Sequence, residues 1–344
     1  MKIPKLYAQT ASKRTIDLTL SVNPLGCSPR VLKALSLISM DDIATYPNQT
    51  EVMTLLGKQF NIDKTNLLLG SGSEQLIKLI AQTFCFKKSL TLVESGSFAL
   101  FTKEFLLAGA QVQYALLEEM LVMKKPNIII LANPKTPTGE VIDIKILRKL
   151  AIHLAPNLLV IDEANGEFLK KSFISEATKL PNVLILRTLS KAIGLAGLRI
   201  GFVVGSHSLI EKLTNVQQPF PVSQISLKLA AVAIKDKRFI DKTKKFIETE
   251  RSFLTRQLKK RKIPVSKSMT NNLFIKVPNA TNVIKELAKR GVSVIDSSFF
   301  PDMETSGFRI SLKDKKTNRL FLKNLDLALA CIDKNKLLPS KEIT

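Results

Sequence analysis

The sequence predicts an α/β protein built on a largely parallel sheet, followed by a smaller α+β domain. Three observations carry this prediction. Short, continuously apolar runs, such as residues 127–132 (N-I-I-I-L-A) and 158–161 (L-L-V-I), read as strands buried on both faces. These runs alternate with amphipathic segments long enough to be helices. The residues capable of chemistry sit in the loops that follow the runs, at 70–73, 133–139, Asp162 and Lys191. Ligands of open α/β sheets bind beyond the strand C-termini, so these loops can converge on one crevice.

From the N-terminus, residues 1–22 read as an arm and Asn23-Pro24-Leu25-Gly26 as a turn. Ser28-Pro29 opens a helix over 30–39, with proline in the first turn, where its missing N–H costs nothing. Tyr46-Pro47 marks an extended turn, and 51–60 is an amphipathic helix. Residues 66–73 (N-L-L-L-G-S-G-S) join a short apolar strand to a Gly/Ser loop, and 74–86 continues as an apolar helix. Unpaired backbone N–H groups at such a helix start suit a phosphate. Strands follow at 89–93, 111–116, 127–132, 158–161, 183–186 and 200–204, with helices at 98–108 and 143–154. Residues 209–262 are helical and charged, with one long helix over 239–260. Strands at 272–277, 292–295 and 308–312, a helix over 282–290 ended by Gly291, and a last helix over 318–332 make the smaller domain.

The 344 residues, 45% of them hydrophobic, allow a sizeable core. No apolar run reaches the roughly 18 residues of a membrane span. The basic N-terminus has no apolar stretch behind it, so the expectation is a cytoplasmic protein with no membrane partner. Cys27, Cys85 and Cys331 are widely spaced and read as inert thiols; with His153 and His207 the only histidines, no metal site is expected. The formal charge of +23 raises nucleic-acid binding as a function. The cations are spread along the chain, however, and no recognition helix or aromatic RNA-reading motif accompanies them. The charge reads instead as a solvated surface suited to an anionic small molecule, and no nucleic-acid partner is expected.

The most informative stretch is Arg187 to Gly201, R-T-L-S-K-A-I-G-L-A-G-L-R-I-G. It places a lysine among small and hydroxyl residues between two apolar strands, with an arginine eight positions later. A lysine after a strand is ordinarily a solvated surface group. In apolar company it loses solvation, its pKa falls, and it can form a Schiff base with an aldehyde.

Five motifs occur in sequence: Tyr46-Pro47, G-S-G-S-E from Gly70, N-P-K-T-P-T-G from Asn133, V-I-D-E-A from Val160, and the lysine stretch from Arg187. In this order and spacing they resemble fold-type I, pyridoxal-phosphate-dependent class I and II aminotransferases. The branch nearest in pattern holds histidinol-phosphate aminotransferase and threonine-phosphate decarboxylase. The resemblance runs from N-P-L-G at Asn23 to F-R-I-S-L at Phe308. It implies a large domain over 41–235, with a mostly parallel seven-stranded sheet between helices. It further implies a small α+β domain over 236–344, with residues 1–40 as an arm and part of that small domain.

The same resemblance implies pyridoxal 5'-phosphate as cofactor, amino-acid and 2-oxo-acid substrates, and a homodimer with shared active sites. Lys191 would carry the Schiff base and then move the proton at the substrate α-carbon. Asp162 would pair with the pyridine nitrogen and keep it protonated. The cofactor phosphate would be held by the backbone at Gly72, Ser73 and Glu74, the hydroxyls of Thr188 and Ser190, and Arg199. Phe98 would stack on the ring, and Tyr46 would reach the phosphate bound in the partner subunit. Arg309 would grip the substrate α-carboxylate, with Asn23 also on the substrate side.

Four departures stand out. The family's asparagine before Pro-Thr-Gly is Thr136 here, and its tyrosine three residues after the ring aspartate is Asn165. Both positions serve the cofactor O3′, and both replacements retain a donor. The N-E-N-P of histidinol-phosphate enzymes is S-V-N-P at Ser21. The arginine that follows their G-x-x-V strand has no counterpart at Asp296, Ser297 or Ser298. Three functions follow from the resemblance: an aminotransferase with a histidinol-phosphate-like substrate, a pyridoxal-phosphate-dependent decarboxylase, and a catalytically weakened binding protein on the same fold.

Overall fold

A computed structural model describes residues 3–4, 16–123 and 126–336, and of 333–336 the backbone alone. Of the arm expected over 1–22, residues 1–2 and 5–15 lie outside the described residues. In chain order the described strands are β1 (Ile16–Asp17), β2 (Leu67–Gly70), β3 (Leu90–Glu94), β4 (Gln111–Ala115), β5 (Ile128–Ala132) and β6 (Leu158–Asp162). They continue with β7 (Val183–Thr188), β8 (Gly201–Gly205), β9 (Asn272–Lys276), β10 (Val292–Ser293), β11 (Ile295–Asp296) and β12 (Gly307–Ser311).

The seven-stranded sheet has the order β2-β8-β7-β6-β5-β3-β4. Every neighbouring pair in it is parallel except the two made by β8, which runs antiparallel to both β2 and β7. β2 therefore points the same way as β7, and six strands end at one edge of the sheet. β8 begins at that edge: Gly201 lies opposite both Gly70 and Thr188.

Alternate residues of each strand serve two cores, as the period of two requires. Leu69, Leu92, Ile129, Leu131, Ile161, Ile185 and Val204 face one, where the Ile144–Leu154 and Gln224–Lys235 helices pack. Leu68, Val93, Ile130, Val160, Leu184 and Val203 face the other, covered by the Gly72–Phe84, Ala99–Leu107 and His207–Val216 helices. Burial on both faces is why these strands are continuously apolar.

A third core lies under an antiparallel sheet of order β11-β12-β9, packed by the long Lys237–Lys260 helix and the Ala280–Lys289 and Lys315–Lys336 helices. β1 pairs in parallel with β10, tying residues 16–17 to this region.

The structure departs from the sequence reading at several places. The single strand expected at 292–295 is two, because the chain changes partner at Val294, from β1 to β12. The first helix is Pro29–Leu35 and stops short of 39; Ser39 instead caps a separate Met40–Ala44 helix through a capping box with Asp42. The helix expected from Glu74 starts at Gly72, which brings its first amides into the Gly/Ser loop.

Candidate active site

The edge where the strands end opens onto a cavity of about 290 Å3. β6 delivers Asp162, β7 ends in Thr188 and the loop after it delivers Ser190 and Lys191, the loop after β5 delivers Thr136, and the segment after β3 delivers Phe98. Ser73 and Glu74 come from the helix after β2, and Arg199 from the residues just before β8. The topology thus gathers residues spread over 73–199 into one wall. β12 supplies Arg309 from the opposite side.

One end of the cavity is an anion cup. The Gly72–Phe84 helix begins without a side-chain cap, leaving its first amides for a ligand. Thr188 Oγ1 lies 2.8 Å from Ser190 Oγ and accepts from Ser190 N at 3.2 Å, fixing both hydroxyls at the cup. Arg199 sits in the left-handed backbone region at φ 52°, a strained placement that functional sites tolerate. Its Nη1 donates to Ala196 O, and its Nη2 reaches Glu74 Oε2 at 3.4 Å. Gly72, at φ 77°, lies against this guanidinium, and a Cβ there would come within 2.7 Å of Nη2. The left-handed backbone favours glycine at this position, and any side chain there would have to displace the guanidinium.

At the other end Asp162 is buried, with Oδ1 accepting from Ala164 N at 2.9 Å. Burial pushes its carboxyl up to about 6, against the backbone hydrogen bond and the nearby Lys191 charge, which pull it down. Such a carboxylate is poised for a cationic partner. Behind it, Glu163 and Glu167 clamp the buried Arg187 at 2.9 and 2.7 Å. Glu163 also accepts from Ser172 Oγ and Phe173 N, so it is an internal structural group rather than a surface one.

Asn165 is buried against the cavity, and its Oδ1 has no protein partner among the described residues. A buried amide oxygen without a partner is costly unless a ligand completes it. With the glycine-backed cup and the buried carboxylate, this orphan shows that the residues present fit a phosphorylated pyridine aldehyde such as pyridoxal 5'-phosphate. Lys191, Asp162, Ser73, Glu74, Phe98, Thr136, Asn165, Thr188, Ser190, Arg199 and Arg309 are all brought together. Gly72 backs the cup without lining the cavity.

Two expected site residues stand elsewhere. Asn23 does not line the cavity: its Nδ2 donates to Ala192 O at 2.9 Å and Thr243 Oγ1 at 3.1 Å, and its Oδ1 accepts from Leu25 N. It buttresses the lysine loop, as does the following turn, since Gly194 packs against Gly26 O too closely to admit a Cβ. Tyr46 is 81% exposed and stacks on Phe220 with ring centroids 4.7 Å apart, away from the cavity of its own chain.

The sequence reading missed the wall on Arg309's side. Arg309 is 2% exposed and anchored by Nη2 to Thr19 O at 2.6 Å, with its Cζ 5.6 Å from the Phe300 ring centroid. Leu20, Ser21, Val22 and Asn272 join it along the cavity. Asn272 Oδ1 accepts from Ser21 Oγ at 2.9 Å and Ser311 Oγ at 3.0 Å, which commits the oxygen and leaves the amide N–H groups as its remaining donors. No local motif flags Asn272; only the pairing of β9 with β12 places it beside Arg309.

A family model described as aminotransferase class I and II matches residues 13–325. A histidinol-phosphate aminotransferase 2 of Nitrosospira multiformis is 31% identical over 331 residues, covering 91% of this chain and 84% of the relative. Among solved structures, histidinol-phosphate aminotransferase of Sinorhizobium meliloti in complex with pyridoxal-5'-phosphate superimposes with a TM-score of 0.87 at 21% identity, covering 95% of this chain and 94% of that one. L-threonine-O-3-phosphate decarboxylase of Porphyromonas gingivalis follows at 0.80 and 22%, covering 92% and 99%.

Proposed function

The chain belongs to the class I and II aminotransferases, and from that premise we propose how its own residues perform amino-group transfer with pyridoxal 5'-phosphate. The amino group passes between an amino acid and a 2-oxo acid, with a histidinol-phosphate-like amino compound as the first substrate to test. One observation carries the reading: Lys191, Asp162, the anion cup and Arg309 line a single cavity.

The cup of Ser73, Thr188, Ser190 and Arg199 would hold the cofactor phosphate, and Phe98 would lie on the ring. Bound there, pyridoxal phosphate supplies an aldehyde for amine exchange and a ring that accepts the electron pair released at the substrate α-carbon. Asp162, held by Ala164 N, would pair with the ring nitrogen and favour its protonated form. Lys191 would hold the cofactor through its Nζ and, freed by the incoming amine, would serve as the base that moves the proton at the substrate α-carbon. Arg309 would bind the α-carboxylate, and Asn272, on the same wall, would help to orient it. Thr136 and Asn165, which line the same cavity, would serve O3′ through the hydroxyl and the amide N–H.

We further assign the active unit as a cytoplasmic homodimer. Free Cys27, Cys85 and Cys331 fit a reducing compartment. Leu37, Met40, Ile43, Tyr46 and Phe220 are each more than half exposed, an apolar face that a second copy would cover.

The likeness to L-threonine-O-3-phosphate decarboxylase keeps decarboxylation as a second reading. The test follows the cofactor spectrum of the loaded protein with single amino acids. Conversion to the amine form of the cofactor without CO2 supports transamination. CO2 release with return of the original band supports decarboxylation, and an unchanged spectrum with every amino donor tried would sink both.

A further inference from the structure

A second cavity, of about 460 Å3, lies between the C-terminal half of the Lys237–Lys260 helix and residues 265–268. Arg251, Thr255, Arg256 and Lys259 reach it from one helix face, at the three- and four-residue spacings that align side chains, and Lys267 faces them. No carboxylate lines it among the described residues. Arg256, Lys259 and Lys267 are exposed, but Arg251 is half-buried, and burial pulls its guanidinium below the ordinary arginine range, with Glu248 opposing this only through its charge. Arg251 Nη1 donates to Met269 O at 2.9 Å and Thr270 O at 3.2 Å, and it has no ion pair among the described residues. Four cations and several hydroxyls around a concave space, one cation partly desolvated and outside any ion pair among the described residues, form a receptor for a multiply charged anion.

This groove touches the active site through covalent neighbours and hydrogen bonds. Ser266 Oγ, at its floor, donates to Thr138 O at 2.7 Å, and Met269 N donates to Gly139 O at 2.8 Å. Both acceptors belong to the loop that carries Thr136 into the catalytic cavity. On the other side Thr270 Oγ1 accepts from Asn272 N at 3.1 Å. An anion drawing Arg251 toward itself would pull on the segment that positions both Thr136 and Asn272.

We propose that this groove is a regulatory site for a small polyphosphorylated anion, and that its occupancy changes amino-acid affinity at the catalytic cavity. The coupling rests on the transaminase reading, whereas binding does not. The test is calorimetric titration of pyrophosphate into the pyridoxal-phosphate-loaded protein at physiological salt, where the cofactor already fills the catalytic anion cup. Saturable binding at one per chain is expected, weakened about tenfold or more in the Arg256→Gln/Lys259→Gln variant, since each charged hydrogen bond lost costs about that much. Both side chains are exposed, so this variant folds, and without pyrophosphate it keeps the wild-type spectrum and turnover. A change in KM for the amino donor on adding pyrophosphate, absent in the variant, is the regulatory readout. No saturable binding, equal binding by the variant, or binding only to a short oligonucleotide would overturn the site. Binding with an unchanged KM in an active enzyme would overturn its regulatory role. A protein that binds pyrophosphate but shows no transamination would count against the catalytic reading alone.

Discussion

At the residue scale, Asp162 shows how a binding site can cost stability. An ordinary aspartate titrates near 3.8, and burial raises this one to about 6. The gap corresponds to about 3 kcal/mol. The sign follows from the raised folded pKa: the cost is absent below about 4, where both states are protonated, and develops as pH rises through about 6. Asp162→Asn without cofactor should therefore be more stable than wild type at pH 7.5, an advantage that fades as pH falls toward 4. The same variant should bind pyridoxal phosphate far more weakly, because the ring cation loses its counter-charge. Urea unfolding of the cofactor-free proteins across that pH range checks the first part, and a wild type equally stable to the variant at pH 7.5 would refute it. Asn272 offers a second case. Asn272→Ala should raise KM for amino donors about tenfold, the loss of a hydrogen bond to a charged group. It should leave amines without an α-carboxylate unaffected, and an equal effect on both would mean that Asn272 only supports the fold.

At the level of elements, the start of the Gly72–Phe84 helix is where backbone conformation and ligand binding meet. Gly72 has φ 77°, and a side chain there would meet Arg199 Nη2 at 2.7 Å. Gly72→Ala should cost about 1–2 kcal/mol of stability through the left-handed backbone. By displacing Arg199 it should also raise the pyridoxal-phosphate dissociation constant about tenfold. Gly197 is the control, since a Cβ there meets nothing within 4 Å although it lies two residues from Arg199. Equal losses in both variants, measured by equilibrium dialysis of the cofactor, would contradict the assignment of the cup. The G-S-G-S signal was legible in the sequence because helix starts and glycine loops are local features. The splitting of 292–295 was not, because Val292 and Ile295 are equally apolar and only their separate partners β1 and β12 distinguish them.

For the whole molecule, the apolar face carrying Met40, Ile43 and Tyr46 predicts a particle of twice the 38.2 kDa chain by analytical ultracentrifugation. A sharper outcome comes from mixing two inactive variants, Tyr46→Ala and Lys191→Ala. In a hybrid dimer, one site would combine an intact Lys191 with an intact Tyr46 of the partner subunit, so activity should return on mixing. If Tyr46 served its own chain, no hybrid site would be complete and mixing would restore nothing. The charge of +23 acquires a location at this scale as well, part of it converging on the groove beside Arg251.

What the sequence determined by itself was the local chemistry. Continuous apolar runs specified buried strands, and loops rich in glycine, proline and hydroxyls marked where ligands approach. One lysine, one aspartate and two arginines at family spacing indicated a cofactor. The tertiary structure alone decided which of these residues meet and what each one contacts. It turned Asn23 into a brace for the lysine loop, put Tyr46 on an outer face, and brought Asn272 to the side of Arg309. The physical reason is one of range. Backbone conformation and burial period are written within a few residues, whereas an asparagine's role depends on which strands pair across the chain, and no short stretch carries that information.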